Sequence, residues 1–331
     1  MSDGRMHTRA VSEGNDQGRM HTRAVSGAYD QGIVNVYKPK GISSFKCVGA
    51  VKKIVNVSKA GHMGTLDPEA EGVLPVCLGR ATRLNEFFMD FRKSYRAGIL
   101  FGVTTDTMDI WGNVISECDT EDLSVDDVKS ELKYFIGETE QVPPCFSAIK
   151  VNGTPMYKLA RKGIETEIKP RKICIYSIEL INSFIEGKKL NITVDITCSK
   201  GTYVRSLCHD LGQRLSTGAC MNSLIRIGYG PFAIDKSVTL EKFEKDPLKF
   251  ILPIDYVLGK FSYIYLEERQ LDDYFNGKRI IIPDENFINT EIGIEAGVRL
   301  YCKDHFYALA KAERCEKGII LMPWKSFRGD H

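Results

Sequence analysis

Apolar and polar positions take on a regular pattern from about Gly32 onward. Residues 32–37 read as a strand, followed by the turn Lys38-Pro39-Lys40-Gly41. Ser43 or Ser44 then caps a helix whose apolar face is Phe45, Val48, Val51 and Val55. An apolar run at 73–78 has strand length. A helix near 83–89, a strand at 93–101 and a loop at 106–112 follow. Ser124 with Asp127 resembles a capping box, opening a helix through Val128, Leu132 and Phe135. Residues 142–150 are extended, and a short helix at 155–162 stops at Gly163. Strands are expected at 172–181 and 190–198; the second alternates Leu190, Ile192, Val194, Ile196 and Cys198. Gly201-Thr-Tyr-Val-Arg205 leads into a helix ending near Leu215. Strands interleaved with capped helices imply an α+β or α/β fold. From about Phe261 the spacing changes. A short helix at 271–277 precedes strands at 279–282, 298–302, 307–312 and 319–323, the spacing of a small β-barrel.

The first thirty residues break this pattern. GRMHTRAVS occurs at 4–12 and again, unchanged, at 18–26. Two polar copies cannot stack into a solenoid. Residues 1–31 are read as a disordered leader or a duplication of cloning or gene-assignment origin, outside the fold.

Composition narrows the function classes. At 331 residues the chain has room for about two domains. Its net charge of +2 does not by itself point to nucleic acid, so any basic surface must be local. Lys158 with Arg161 and Lys162, and Lys169 with Arg171 and Lys172, are such clusters, as are groups around Lys52 and Arg92. There are ten cysteines but no Cys-x-x-Cys, which speaks against a zinc knuckle and for thiols in a reducing, cytoplasmic setting. No apolar stretch has the length of a membrane span.

The densest chemistry lies between Gly61 and Leu84. Gly64-Thr65-Leu66-Asp67-Pro68 presents a carboxylate on a stiff turn. His62 precedes it, and Arg80 and Arg83 follow the next strand. The arrangement suits an acidic nucleophile or base facing an anionic substrate. No Walker or dinucleotide-binding glycine pattern accompanies it.

This segment closely resembles the signature of TruB-type tRNA pseudouridine synthases. Lys38-Pro-Lys-Gly-Ile-Ser-Ser44, Lys93-Ser94-Tyr95, Cys198-Ser-Lys-Gly-Thr-Tyr203-Val-Arg205 and Leu224-Ile-Arg226 match further family motifs in the same order. The resemblance implies that Asp67 is catalytic, that Tyr95 and Tyr203 hold the target uracil, and that Arg205 pairs with Asp67. It further implies that Leu224 closes the base pocket, that His62 fills the stack left by the flipped nucleotide, and that Lys38 supports the active-site loop beside the substrate. The implied substrate is uridine 55 of the tRNA T-arm, with no cofactor, metal or obligatory protein partner, in a monomer. Residues 143–171 are similar to the thumb-like insertion of the bacterial stand-alone branch, where the family's usual Tyr is Phe146 here. Lys158, Arg161, Lys162, Arg171 and Lys172 are its expected contacts to RNA phosphates.

The expected fold is thus a largely antiparallel mixed sheet flanked by helices over 32–258, with a PUA-like RNA-binding β-barrel over 259–331. The runner-up readings are a guide-RNA-dependent synthase of the dyskerin type, and a non-catalytic protein that binds or folds RNA. The carboxylate chemistry stays open among attack on the uracil ring, attack at C1′, and proton removal to a glycal.

Overall fold

The computed structural model describes residues 31–147, 149–151, 153–160, 162–164, 168–288 and 293–328. The repeated leader and Arg161 lie outside the described residues.

The apolar run at 73–78 does not alternate because its strand is covered on both faces. Strand Glu71–Leu78 pairs antiparallel with Gly32–Lys38. Ile33, Val73 and Cys77 face one core; Val34, Val36, Leu74, Val76 and Leu78 face another. The second core is closed by helix Ser44–Val55. Ser43 caps that helix by accepting from the Lys46 N–H at 3.2 Å, leaving Ser44 for other work. Phe45, expected on the apolar face, is 81% exposed, and Cys47 takes its place beside Val48, Val51 and Val55. At about 3.6 residues per turn the stripe through Ser44, Cys47, Val48, Val51 and Val55 leaves position 45 on its flank, off the face that meets the sheet.

These strands belong to a ten-stranded sheet. Its neighbours run in the order Ile251–Leu252, Gly32–Lys38, Glu71–Leu78, Ala219–Tyr229, Lys93–Phe101, Lys189–Cys198, Arg171–Glu186, Gly137–Gln141. The fold is α+β with a mixed, mostly antiparallel sheet. All five alternating positions of Lys189–Cys198 are buried, as their period requires. The sequence pattern does not reveal Ala219–Tyr229, which lies at the centre. Register shifts between Met221 and Ser223 and between Arg226 and Gly228 erase its alternation. It runs parallel to Glu71–Leu78, pairing Arg226 with Gly72. Gly72 is obligatory there: at φ +102° a Cβ would stand 2.4 Å from the Arg226 carbonyl oxygen.

The C-terminal unit departs from the expected closed barrel. Its five strands run Ser262–Tyr265, Val298–Cys302, His305–Cys315, Gly318–Ser326, Ile280–Ile282. Among the described residues the two outer strands do not pair, so the sheet is curled but open. Helix Glu268–Phe275 lies between those strands in sequence and sends Leu271 and Tyr274 into the core.

Candidate active site

The Asp67 turn is built from both sides. It leaves strand Ala60–His62 through Gly64, at φ +82°, where a Cβ would come within 3.1 Å of the Tyr229 ring. Ser44 Oγ donates to the Leu66 carbonyl and accepts from the Leu66 N–H, each at 2.9 Å. Lys38 Nζ donates to the carbonyls of Pro39, Ile42 and Pro68 at 2.9, 2.7 and 3.1 Å. From the opposite side Arg226 donates to the carbonyls of Val73, Gly64 and Thr65 at 2.7, 3.0 and 3.4 Å. Both cations are fully buried, and burial pulls the Lys38 ammonium below its ordinary pKa. Lys38 supports the active-site loop, as the family resemblance implies. All three of its donors are spent on backbone, so it braces the loop from behind.

On this base the Asp67 side chain is about half exposed, and Arg205, 8% exposed, reaches its Oδ2 at 3.0 Å. The pairing is the one the family resemblance implies. The same guanidinium donates to the Phe146 carbonyl at 3.0 Å and lies 3.5 Å from Asp109 Oδ2. Asp109 accepts at Oδ1 from Thr107 Oγ1 at 2.7 Å and from the Trp111 N–H at 3.2 Å. Burial, opposed by those hydrogen bonds and by Arg205, raises its pKa above the usual carboxylate range. The sequence pattern marks 106–112 only as a loop. Asp109 could have been suspected only as a carboxylate within it.

Three further groups define the surroundings. Tyr95 is buried on strand Lys93–Phe101 opposite Arg226, and burial raises its phenol pKa, keeping it neutral. Tyr203 stands at the start of helix Val204–Arg214. The Gln141 side chain brackets its backbone, accepting from its N–H at 2.8 Å and donating to its carbonyl at 3.0 Å. Leu224 packs on the cluster that holds Leu66, Tyr95 and Val204. His62 ends strand Ala60–His62 despite the glycines on either side of the His62–Met63 pair. It pairs with Val76 in the sheet and is half-buried. Burial first, then Arg226, holds its imidazole below the ordinary value and thus neutral. Lys158, Lys162, Arg171 and Lys172 are exposed on and beside the insertion.

A half-exposed carboxylate on a turn whose carbonyls are held, paired with one arginine and with Tyr95 and Tyr203 on neighbouring elements, supplies a base or nucleophile. Residues 52–204 match the model of the TruB family pseudouridylate synthase N-terminal domain, and residues 205–258 match that of the tRNA pseudouridylate synthase B C-terminal domain. The tRNA pseudouridine synthase B of Clostridium perfringens is 41% identical over 290 residues, 87% of this chain and 97% of its own. That of Clostridioides difficile is 39% identical over 303 residues, 89% and 99% of the two chains. A solved H/ACA RNP bound to a substrate RNA containing 2′-deoxyuridine superimposes with a TM-score of 0.68 at 26% identity, covering 93% of this chain and 88% of that one. A Cbf5-Nop10-Gar1 complex gives 0.68 at 28% identity, with 92% and 88% covered.

Fold and site together are those of a pseudouridine synthase, an isomerase that rejoins a uracil to its own sugar. More narrowly, the chain belongs to the TruB family of tRNA pseudouridine synthases.

Proposed function

We propose that this enzyme isomerises uridine 55 of the tRNA T-arm, as a monomer in the cytoplasm, without a guide RNA. Uracil leaves through its N1–C1′ bond, turns, and returns through C5–C1′; the C5 proton is lost and N1 gains one. The target is stacked in a folded loop and must be flipped out, at a cost of a few kcal/mol. Tyr95, Tyr203 and Leu224 hold the flipped base, and the neutral His62 ring occupies the gap. Asp67 then acts on the ring, on C1′, or by taking a proton. Arg205 keeps its carboxylate aimed in each case.

The observation that carries this reading is the contrast at Asp67. Its carboxylate is open to solvent while the carbonyls of Gly64, Thr65, Leu66 and Pro68 around it are all held. Such preorganisation serves chemistry rather than folding. The guide-dependent reading draws support from the likeness to the H/ACA structures, but it is weaker. The relatives at 39–41% identity are tRNA pseudouridine synthases B, and the insertion at 143–171 supplies a clamp of the chain's own. The open C-terminal sheet adds RNA contacts beyond the T-loop.

Asp67→Asn should leave binding of an unmodified T-arm hairpin near wild type and reduce pseudouridine, mapped chemically, to background. Turnover near the wild-type rate would refute the assignment. Activity that appears only after a guide ribonucleoprotein is reconstituted would move the protein to the other branch.

A further inference from the structure

The two loops that hold the Asp67–Arg205 pair meet a second time at the surface. Lys40 Nζ stands 5.0 Å from the centre of the Trp111 ring. Lys40 lies in the turn whose next residue, Gly41, donates its N–H to the Pro68 carbonyl at 2.9 Å. Trp111 lies two residues after Asp109, the second carboxylate on Arg205. The Lys40–Trp111 contact therefore bridges the turn docked on the Asp67 loop and the loop that carries Asp109.

The Trp111 loop is firmly tied. Asp106 accepts from the Asn113 N–H at 2.8 Å and from its side-chain amide at 2.9 Å. Thr105 Oγ1 donates to the Asp109 carbonyl at 2.7 Å. Ile110 N–H donates to the Met221 carbonyl at 2.8 Å, and Met221 N–H to the Met108 carbonyl at 3.0 Å. Even so, Trp111 is 40% exposed and Ile110 45% exposed. A loop fixed this well could have turned its largest apolar side chain inward. Instead it presents an indole with an ammonium on its face, next to an anionic substrate's reaction centre. A nucleotide offers the matching pair of groups, a base for the ring and a phosphate for the cation.

We propose that Lys40 and Trp111 form a nucleotide-holding rim of the Asp67 site: the indole stacks on the base adjoining the flipped uridine, and the Lys40 ammonium lies against a neighbouring phosphate. The proposal rests on the reading of this site as one that takes RNA. Lys40 covers part of one ring face, and the exposure of Trp111 leaves the remainder to a base.

The test uses the full chain in an Asp67→Asn background, which binds a T-arm hairpin without turning it over. The chain has two tryptophans, and the other, Trp324, packs against Phe87 at 5.6 Å. The emission lost on adding Trp111→Phe isolates the Trp111 signal. RNA should quench that signal, and an abasic nucleotide beside the target should abolish the quench. Trp111→Ala should raise the hairpin Kd about 5- to 150-fold, the size of a lost base–aromatic stack, and Trp111→Phe should restore most of it. In active enzyme the loss should fall on KM more than on kcat. Lys40→Ala should lower the salt slope of binding by roughly 0.7–0.9. Tight hairpin binding with Trp111 emission unchanged, or an unaltered Kd in Trp111→Ala, would overturn the rim. A hairpin that fails to bind the Asp67→Asn protein at all would overturn the RNA reading, and the rim with it.

Discussion

Lys38 and Arg226 are two cations with no exposed surface, and both spend their donors on backbone carbonyls of or near the Asp67 turn. Hydrogen bonds from a charged donor to buried carbonyls are worth more than neutral ones, and removing the donor strands the acceptors. Lys38→Met keeps the stem and removes the charge. It should cost about 1–3 kcal/mol of stability in urea denaturation and lower kcat while leaving KM close to its starting value. An unchanged kcat in a destabilised protein would show that the brace serves the fold alone. Phe146 illustrates how little one side chain at this site can matter: its carbonyl, not its ring, is what Arg205 holds.

At the scale of elements, the C-terminal unit has part of its basic charge already paired, while exposed Arg279, Lys311 and Lys317 there form no ion pair among the described residues. Lys303, Arg314, Lys325, Arg328 and Lys278 are each paired with a carboxylate, of Glu268, Asp284, Glu86, Asp272 and Asp273 respectively. Lys158, Lys162, Arg171 and Lys172 form no ion pair among the described residues, and all are exposed. Unpaired surface cations retain their full attraction for phosphate, whereas paired ones must first give up a partner. Replacing Lys158 and Lys162 together by Gln should weaken binding to every T-arm sequence alike. It should also flatten the dependence of log Kd on log salt by roughly 0.7–0.9 per lost contact. A sequence-selective loss, or an unaltered slope, would remove the insertion from the phosphate-binding surface.

At the scale of the whole molecule, the C-terminal sheet is part of the catalytic unit's core. Leu309 and Phe327 pack in one cluster with Ile33, Val73, Phe88 and Phe261. Phe87 meets the Phe261 and Trp324 rings edge-on at 5.5 and 5.6 Å. Lys325 pairs with Glu86 at 2.6 Å, and Arg83 donates to the Ser326 carbonyl at 2.6 Å. Deleting the tail would bare this apolar face, so a truncation reports on folding as much as on tRNA affinity. Leu309→Ala should cost about 2–5 kcal/mol and lower the transition of the entire chain, seen together by circular dichroism and by tryptophan emission. Two separate transitions, with the catalytic one unmoved, would show the units to be independent.

The sequence by itself determined what depends on neighbouring residues. The strand at 190–198, the Ser124 cap, the turn at Gly41 and the glycine before Asp67 were legible because period, capping and φ are local properties. The family motifs carried Asp67 and its pairing with Arg205. The tertiary structure decided what depends on partners far along the chain. Asp109 matters because Arg205 is folded against it from 96 residues away. Arg226 matters because it reaches Gly64 across 162 residues. The strand Ala219–Tyr229 entered the centre of the sheet despite a bulged, unpatterned sequence, because its neighbours on both sides supplied the pairing. Phe45 faced solvent because the stripe that met the sheet ran through Ser44, Cys47, Val48, Val51 and Val55, and the C-terminal sheet stayed open because, among the described residues, its outer strands do not pair. Periodicity tells which face of an element is apolar; only the packed chain settles what that face, and each buried charge, will meet.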